Sequence, residues 1–181
     1  MKTIIILDQI QAGLGGDERS DTPLGGKKIA MGSADNVEKA LEAVHGEIIG
    51  TFYCGPKYYQ QNKDIVQRKF SKMAEKMKAD VVIVGPAFDY HDFAEMAVEI
   101  GIAITENTSI PVIGAIAKEK NQELIEKYKD RFPIVKMPKK GGTGLAESLD
   151  NLAKGCQILT NKEDISKFKG SCCYYFFSWR L

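Results

Sequence analysis

Short apolar runs rich in β-branched residues recur at Thr3–Leu7, Glu47–Tyr53, Asp80–Val84, Pro111–Ala115 and Pro133–Lys136. Longer stretches with helical spacing separate them. Proline opens the last two runs, a position a strand tolerates because its first N–H need not enter the ladder. Between the runs, Val37, Ala40, Leu41 and Val44 share one face of a helix that Ser33 can cap and Gly46 can end. A second helix over Asn62–Lys78 turns Ile65, Val66, Phe70, Met73 and Met77 inward, and a third over His91–Glu106 is the most apolar. Lys120–Lys129 predicts a short charged helix, and Leu145–Leu159 a last one with Leu145, Leu149, Leu152 and Cys156 along a stripe. Alternating strands and helices predict an α/β fold: a three-layer α/β/α sandwich with a mainly parallel, flavodoxin-like sheet of about five strands in the order 2-1-3-4-5.

The stretch ILDQIQAGLGGDERSDTPLGGKK interrupts this rhythm, because a strand-to-helix connection usually takes a handful of residues. Gly13, Gly15 and Gly16 are followed by Asp17 and Glu18, so the dinucleotide pattern G-x-G-x-x-G is incomplete. Lys27 and Lys28 precede Ile29 rather than the hydroxyl residue of a P-loop. The loop is either a surface excursion or the border of a site.

Composition narrows the partners. The chain has 181 residues, 44% of them hydrophobic, enough for one domain with a real core. A formal charge of +1 gives no global attraction for nucleic acid or anionic membranes. The start MKTIIILDQI is too short an apolar stretch for a signal or a span, so a cytoplasmic location is expected. Cys54, Cys156, Cys172 and Cys173 form no C-x-x-C pair, and His45 and His91 stand far from them, so no metal site is expected. Cys156 reads as a small core residue, His91 as a helix-start residue and His45 as a cation at a helix C-terminus.

Ligands of open α/β sheets bind beyond the carboxyl ends of the strands, where strand order reverses. With the order above, the loops after the first three strands share a crevice. They supply Asp8, Gln9, Gly13, Gly15 and Gly16, then Cys54 and Gly55, then Gly85, Pro86, Phe88 and Asp89. Cys54 is either the candidate catalytic thiol or a half-buried side chain with no chemical role. After the fifth strand, Lys139, Lys140, Gly141, Gly142 and Thr143 open a helix; they are either an anion-binding loop or a turn and cap.

The segments GLGG, TFYCGPKYYQQN and DVVIVGPAFDY, followed by SIPVIGAIAKEKNQE and IVKMPKKGGTG, resemble component B (selenoprotein B) of the glycine, sarcosine and betaine reductases of anaerobic bacteria, and most closely a reductase-B-related branch of oxidoreductases. The resemblance runs from Thr3 to Asn161. Pro56 and Asp89 stand where that family commonly has aspartate and asparagine. The resemblance implies an oxidoreductase that reductively removes the amino group of a small amino acid or its N-methyl derivative, with thiols as electron donors and a disulfide as the oxidised partner. It also implies partner reductase subunits, a thioredoxin-type donor, a selenocysteine in the second half of a longer chain, and a pyruvoyl-type carbonyl on a partner subunit. No cofactor is expected on this chain itself. The alternatives are a non-catalytic substrate-binding or subunit-assembly domain, and a flavodoxin-like nucleotide or flavin binder using Lys139–Thr143.

Residues 1–161 are expected to form the α/β domain, with 162–181 as a tail. The ending GSCCYYFFSWRL abandons the charged texture before it. It can be a final strand, a membrane-surface anchor or out-of-frame translation, and the last would make the chain a fragment lacking the selenocysteine centre.

Overall fold

The computed structural model describes residues 1–174. A six-stranded sheet forms its middle layer, built from β1 (Lys2–Leu7), β2 (Gly25–Lys27), β3 (Glu47–Tyr53), β4 (Val81–Ala87), β5 (Val112–Ala117) and β6 (Ile134–Met137) in the order β2-β3-β1-β4-β5-β6. The five strands expected from the apolar runs are parallel and lie in the flavodoxin-like order. β2 is an addition: it runs antiparallel along β3, pairing Gly25 with Tyr53 and Lys27 with Thr51, and forms the sheet's edge. Central strands buried on both faces need continuous apolar sequence, and β1, β4 and β5 have it.

The helices are α1 (Ala34–Glu42), α2 (Pro56–Gln61), α3 (Lys63–Lys76), α4 (His91–Asn107), α5 (Gln122–Tyr128), α6 (Leu145–Thr160) and α7 (Ser166–Cys172). As expected, α4 is the best buried; Phe93, Met96, Ala97, Ile100 and Ile104 are all sealed from solvent. Each such large side chain contributes about 1.5–3 kcal/mol on burial.

Several local expectations are revised. A separate helix, α2, precedes α3, with Pro56 at its first turn and Asn62 breaking the two apart. On α3 the buried stripe is Val66, Phe70 and Ala74, while Ile65 and Met73 are 40% and 39% exposed. Leu145 is also exposed, because the inward stripe of α6 begins at Leu149. Ser33 occupies the cap position of α1, but its hydroxyl donates to the Gln11 carbonyl. His45, not Gly46, takes the left-handed conformation behind that helix. Beyond residue 161, α7 packs Phe168 inward and Cys173 bridges Val135 of β6 in antiparallel fashion. The Tyr174 hydroxyl donates to Ile116 O. Tyr175, Phe176, Phe177 and Trp179 lie outside the described residues.

Candidate functional site

The long opening loop is structured. The Asp8 side chain accepts the Gln11 N–H at 2.8 Å and its carbonyl accepts that of Ala12, so β1 leads into a helical turn that Gly13 closes at φ 77°. Gln9 is fully buried and donates from Nε2 to Gly16 O, pinning the next bend, while its Oε1 has no hydrogen-bond partner. The chain then lies across the exit of β3. Ser20 O accepts the N–H groups of Lys57 and Tyr58, and Thr22 O accepts that of Gly55. A Cβ on Gly55 would stand 2.1 Å from Ser20 O, so the close approach requires glycine.

This covering displaces the second-strand loop from the crevice. Cys54 is fully buried with its thiol against its neighbour's carbonyl, Gly55 O, and burial pushes its pKa to about 12. A thiol so placed is protonated at neutral pH. Neither Cys54 nor Gly55 borders the cavity described next.

A cavity of about 400 Å³ opens at the carboxyl ends of β1 and β4, the pair at which strand order reverses. Asp8, Ile10, Gln11 and Asp17 form one wall, and Ala87, Phe88, Asp89, Tyr90 and Phe93 the other. Lys120, from the loop after β5, and Lys140, from the loop after β6, complete it. Of the residues picked from sequence, Asp8, Phe88, Asp89 and Lys140 converge here. Gln9, Gly13, Gly15 and Gly16 shape the loop behind the wall, and Lys139, Gly141, Gly142 and Thr143 remain outside.

Gly85 and Pro86 act from within β4. Gly85 has φ 108°, its Cβ would meet Ala115 O at 2.4 Å, and the Gly85–Pro86 peptide is cis. Pairing with β5 slips here, from Val84 opposite Gly114 to Ala87 opposite Ile116. Such a one-residue bulge re-aims the strand end, and here it presents Ala87–Asp89 to the cavity.

Asn121 is a site residue without a signature in the sequence. It is fully buried and donates from Nδ2 to Phe88 O (2.7 Å) and Ala117 O (3.0 Å), tying the β4 exit to the β5 exit. With that amide fixed, Asn121 Oδ1 and Lys120 O both accept from His91 Nδ1, which must therefore carry the proton. The preceding residue, Lys120, is held in the left-handed region at φ 64°.

The cavity carries charge of both signs. Burial, opposed by backbone N–H groups and reinforced by the Asp17 charge, raises the Asp8 carboxyl from 3.8 to about 6. Tyr90 is also held above its ordinary value, first by burial, with the charges of Asp17, Asp92 and Asp8 adding to the effect. Three carboxylates, Asp8, Asp17 and Asp89, and two ammonium groups, Lys120 and Lys140, therefore line the same cavity. Among the described residues there is no group of three or more metal-ligating side chains, and no helix long and apolar enough to cross a membrane.

Residues 1–175 match the glycine/sarcosine/betaine reductase selenoprotein B family. The chain belongs to that family. It is 25% identical over 154 residues to the sarcosine reductase complex component B subunit beta of Peptoclostridium acidaminophilum, covering 85% of this chain and 34% of that protein. It is 24% identical over 164 residues to the glycine reductase complex component B subunit gamma of Carboxydothermus hydrogenoformans, covering 91% of this chain and 37% of that protein. The chain thus spans about a third of the length of the curated relatives it matches. No solved structure matches it.

Proposed function

We propose that this chain is the substrate-binding α/β portion of a component-B-type amino-acid reductase, and that the β1/β4 crevice takes a small amino acid as its zwitterion. The observation that carries this reading is the opposed charge of one cavity: Asp8, Asp17 and Asp89 for an ammonium, Lys120 and Lys140 for a carboxylate. Asp8 is ionised above about pH 6, and a bound ammonium would replace the water that its burial removed. Phe88 and Phe93 supply the apolar wall beside the carbon skeleton. The cavity exceeds a bare amino acid and falls in the range of ordinary ligand pockets, which leaves space for the group that reacts with it.

The reaction of the assembled enzyme is reductive cleavage of the substrate's C–N bond, the amine leaving and a dithiol donor ending as a disulfide. That chemistry needs a soft, ionised nucleophile. The thiols described here do not fit the task. Burial raises the pKa values of Cys54, Cys156 and Cys173, and no cysteine lines the cavity. The described residues bind and orient, and the resemblance implies that the redox centre lies in the second half of a longer chain and the carbonyl on a partner subunit.

Titrating the chain with glycine, sarcosine, acetate and methylamine, followed by amide NMR shifts, tests this. Glycine should shift the resonances of Gln11, Phe88 and Lys120, while acetate and methylamine, each with half the zwitterion, bind at least about tenfold more weakly. Lys120→Ala should weaken glycine binding by a similar factor, and glycine with a dithiol should give no turnover on this chain alone. Absence of glycine binding at millimolar concentration would sink the substrate reading. The naming of the relatives as subunits of complexes then favours an assembly domain.

A further inference from the structure

A second concavity, of about 530 Å³, lies away from the crevice between the edge strand β2 and helix α3. Its floor is apolar. Phe52 and Phe70 stack with ring centres 5.3 Å apart, and Met73 of α3 and Met77, the capping residue just after it, stand beside them. Gly25 and Gly26 of β2 contribute no side chain, and the Phe52 ring fills the space beside Gly26, so aromatic surface rather than edge-strand side chains floors the concavity. Lys27, Lys28, Lys69 and Lys72 rim it, and among the described residues none of the four is ion-paired with a carboxylate.

An apolar floor this open, with methionines at its surface, suits an adaptable protein contact better than a rigid small ligand. A helix laid beside α3 at the usual spacing of about 8–10 Å would cover the Phe52–Phe70 floor, bury exposed Met73 and complete the burial of Met77. Four unneutralised lysines on the rim select the sign of its flanks. We propose that the groove docks an amphipathic helix of a partner protein, with apolar residues on its buried face and carboxylates along both flanks. This surface is separate from the β1/β4 crevice and stands whether or not that crevice binds an amino acid.

The test uses two fluorescein-labelled amphipathic peptides of about 14 residues, leucine on one face, with either glutamate or lysine elsewhere. Binding is read by anisotropy and by the methyl resonances of the six methionines. The glutamate peptide should bind at least about tenfold tighter than the lysine peptide, weaken with salt, and shift Met73 and Met77 while leaving the sealed Met96 unmoved. Lys69→Glu/Lys72→Glu, both at exposed positions, should remove most of that preference, whereas Lys120→Ala should not. Equal binding of the two peptides, no binding, or shifts elsewhere would overturn the proposal. So would competition by self-association or by anionic phosphatidylglycerol vesicles as the sole occupant of the groove.

Discussion

Replacing Asp8 by asparagine tests the charged floor of the crevice. The carboxyl is 1% exposed, accepts the Gln11 N–H, and has a pKa of about 6 in place of 3.8, chiefly through burial. For an acid raised on folding, the unfolded chain gives up its proton first. Stability from the protonated group is therefore fully present below 3.8 and is lost as pH rises through about 6. The whole difference is worth about 3 kcal/mol, of which about 0.5 is lost by pH 4, about 1.5 by pH 5 and nearly all by pH 7. Asparagine keeps an acceptor for Gln11 and carries no charge at any of these values.

Asp8→Asn should thus match the parent protein within about 0.5 kcal/mol at pH 4 and exceed its stability by up to about 3 kcal/mol at pH 7.5. In a chain of this length that is a rise in Tm of about 6–12 °C at the higher pH and about 1–2 °C at the lower. Urea denaturation across the pH series, with thermal melts beside it, measures the difference. A gain that does not depend on pH, or a loss at pH 7.5, would refute the argument, because either means that Asp8 is not a buried charge in the folded protein. The same substitution should weaken glycine binding at pH 7.5. Stability bought at the cost of binding is the expected signature of a functional buried carboxylate.

Asn121→Ala removes an amide that serves Phe88 O, Ala117 O and His91 together, and should cost about 2–4 kcal/mol in urea denaturation. Gly55→Ala drives a methyl group into Ser20 O and should cost a comparable amount, with faster proteolysis of residues 17–22 as the loop lifts. Among the described thiols, half-buried Cys172 should react first with a disulfide reagent, and Cys54, Cys156 and Cys173 only on unfolding. Cys54→Ser should leave glycine binding unchanged, since the cavity does not include that residue.

What the sequence disclosed follows from which features are local. β1, β4 and β5 announce themselves because strands buried on both faces need unbroken apolar runs, and the helical periods between them dictate a parallel sheet. β2 could not be read: Gly-Gly-Lys carries no strand propensity, and its pairing is set by β3 and by the loop's contacts at Gly55. The crevice was half legible. Asp8, Phe88 and Asp89 follow strands directly, so topology alone brings them to the switch point. Asp17 and Lys120 arrive only because a helical turn and a buried asparagine fold their loops inward. Cys54 was picked for its position after a strand alone, and its burial away from the cavity goes with the contacts of Ser20 and Thr22 to the loop behind it, which are long-range events. Met73 matched a helical period, yet the short edge strand that leaves it exposed has no signature in that period.

On the proposed reading, charge and sulfur divide the labour of the assembled enzyme. Recognition of a zwitterion asks for fixed charges of both signs on a rigid frame, and the β1/β4 crevice supplies these from four strand ends, held by Asn121 and by the bulge at Gly85. Reduction asks for an ionised chalcogen that can approach, leave and be regenerated. A crevice floored by buried carboxylate is hostile to such an anion, since the Asp8 charge would raise a neighbouring thiol's pKa and so disfavour its ionised form. On that reading a nucleophile would be delivered from the solvent side, past exposed Lys120 and Lys140, whose charges would favour its ionised form. A separate docking groove at the far edge of the sheet would let a partner be held without occupying the mouth through which that delivery takes place.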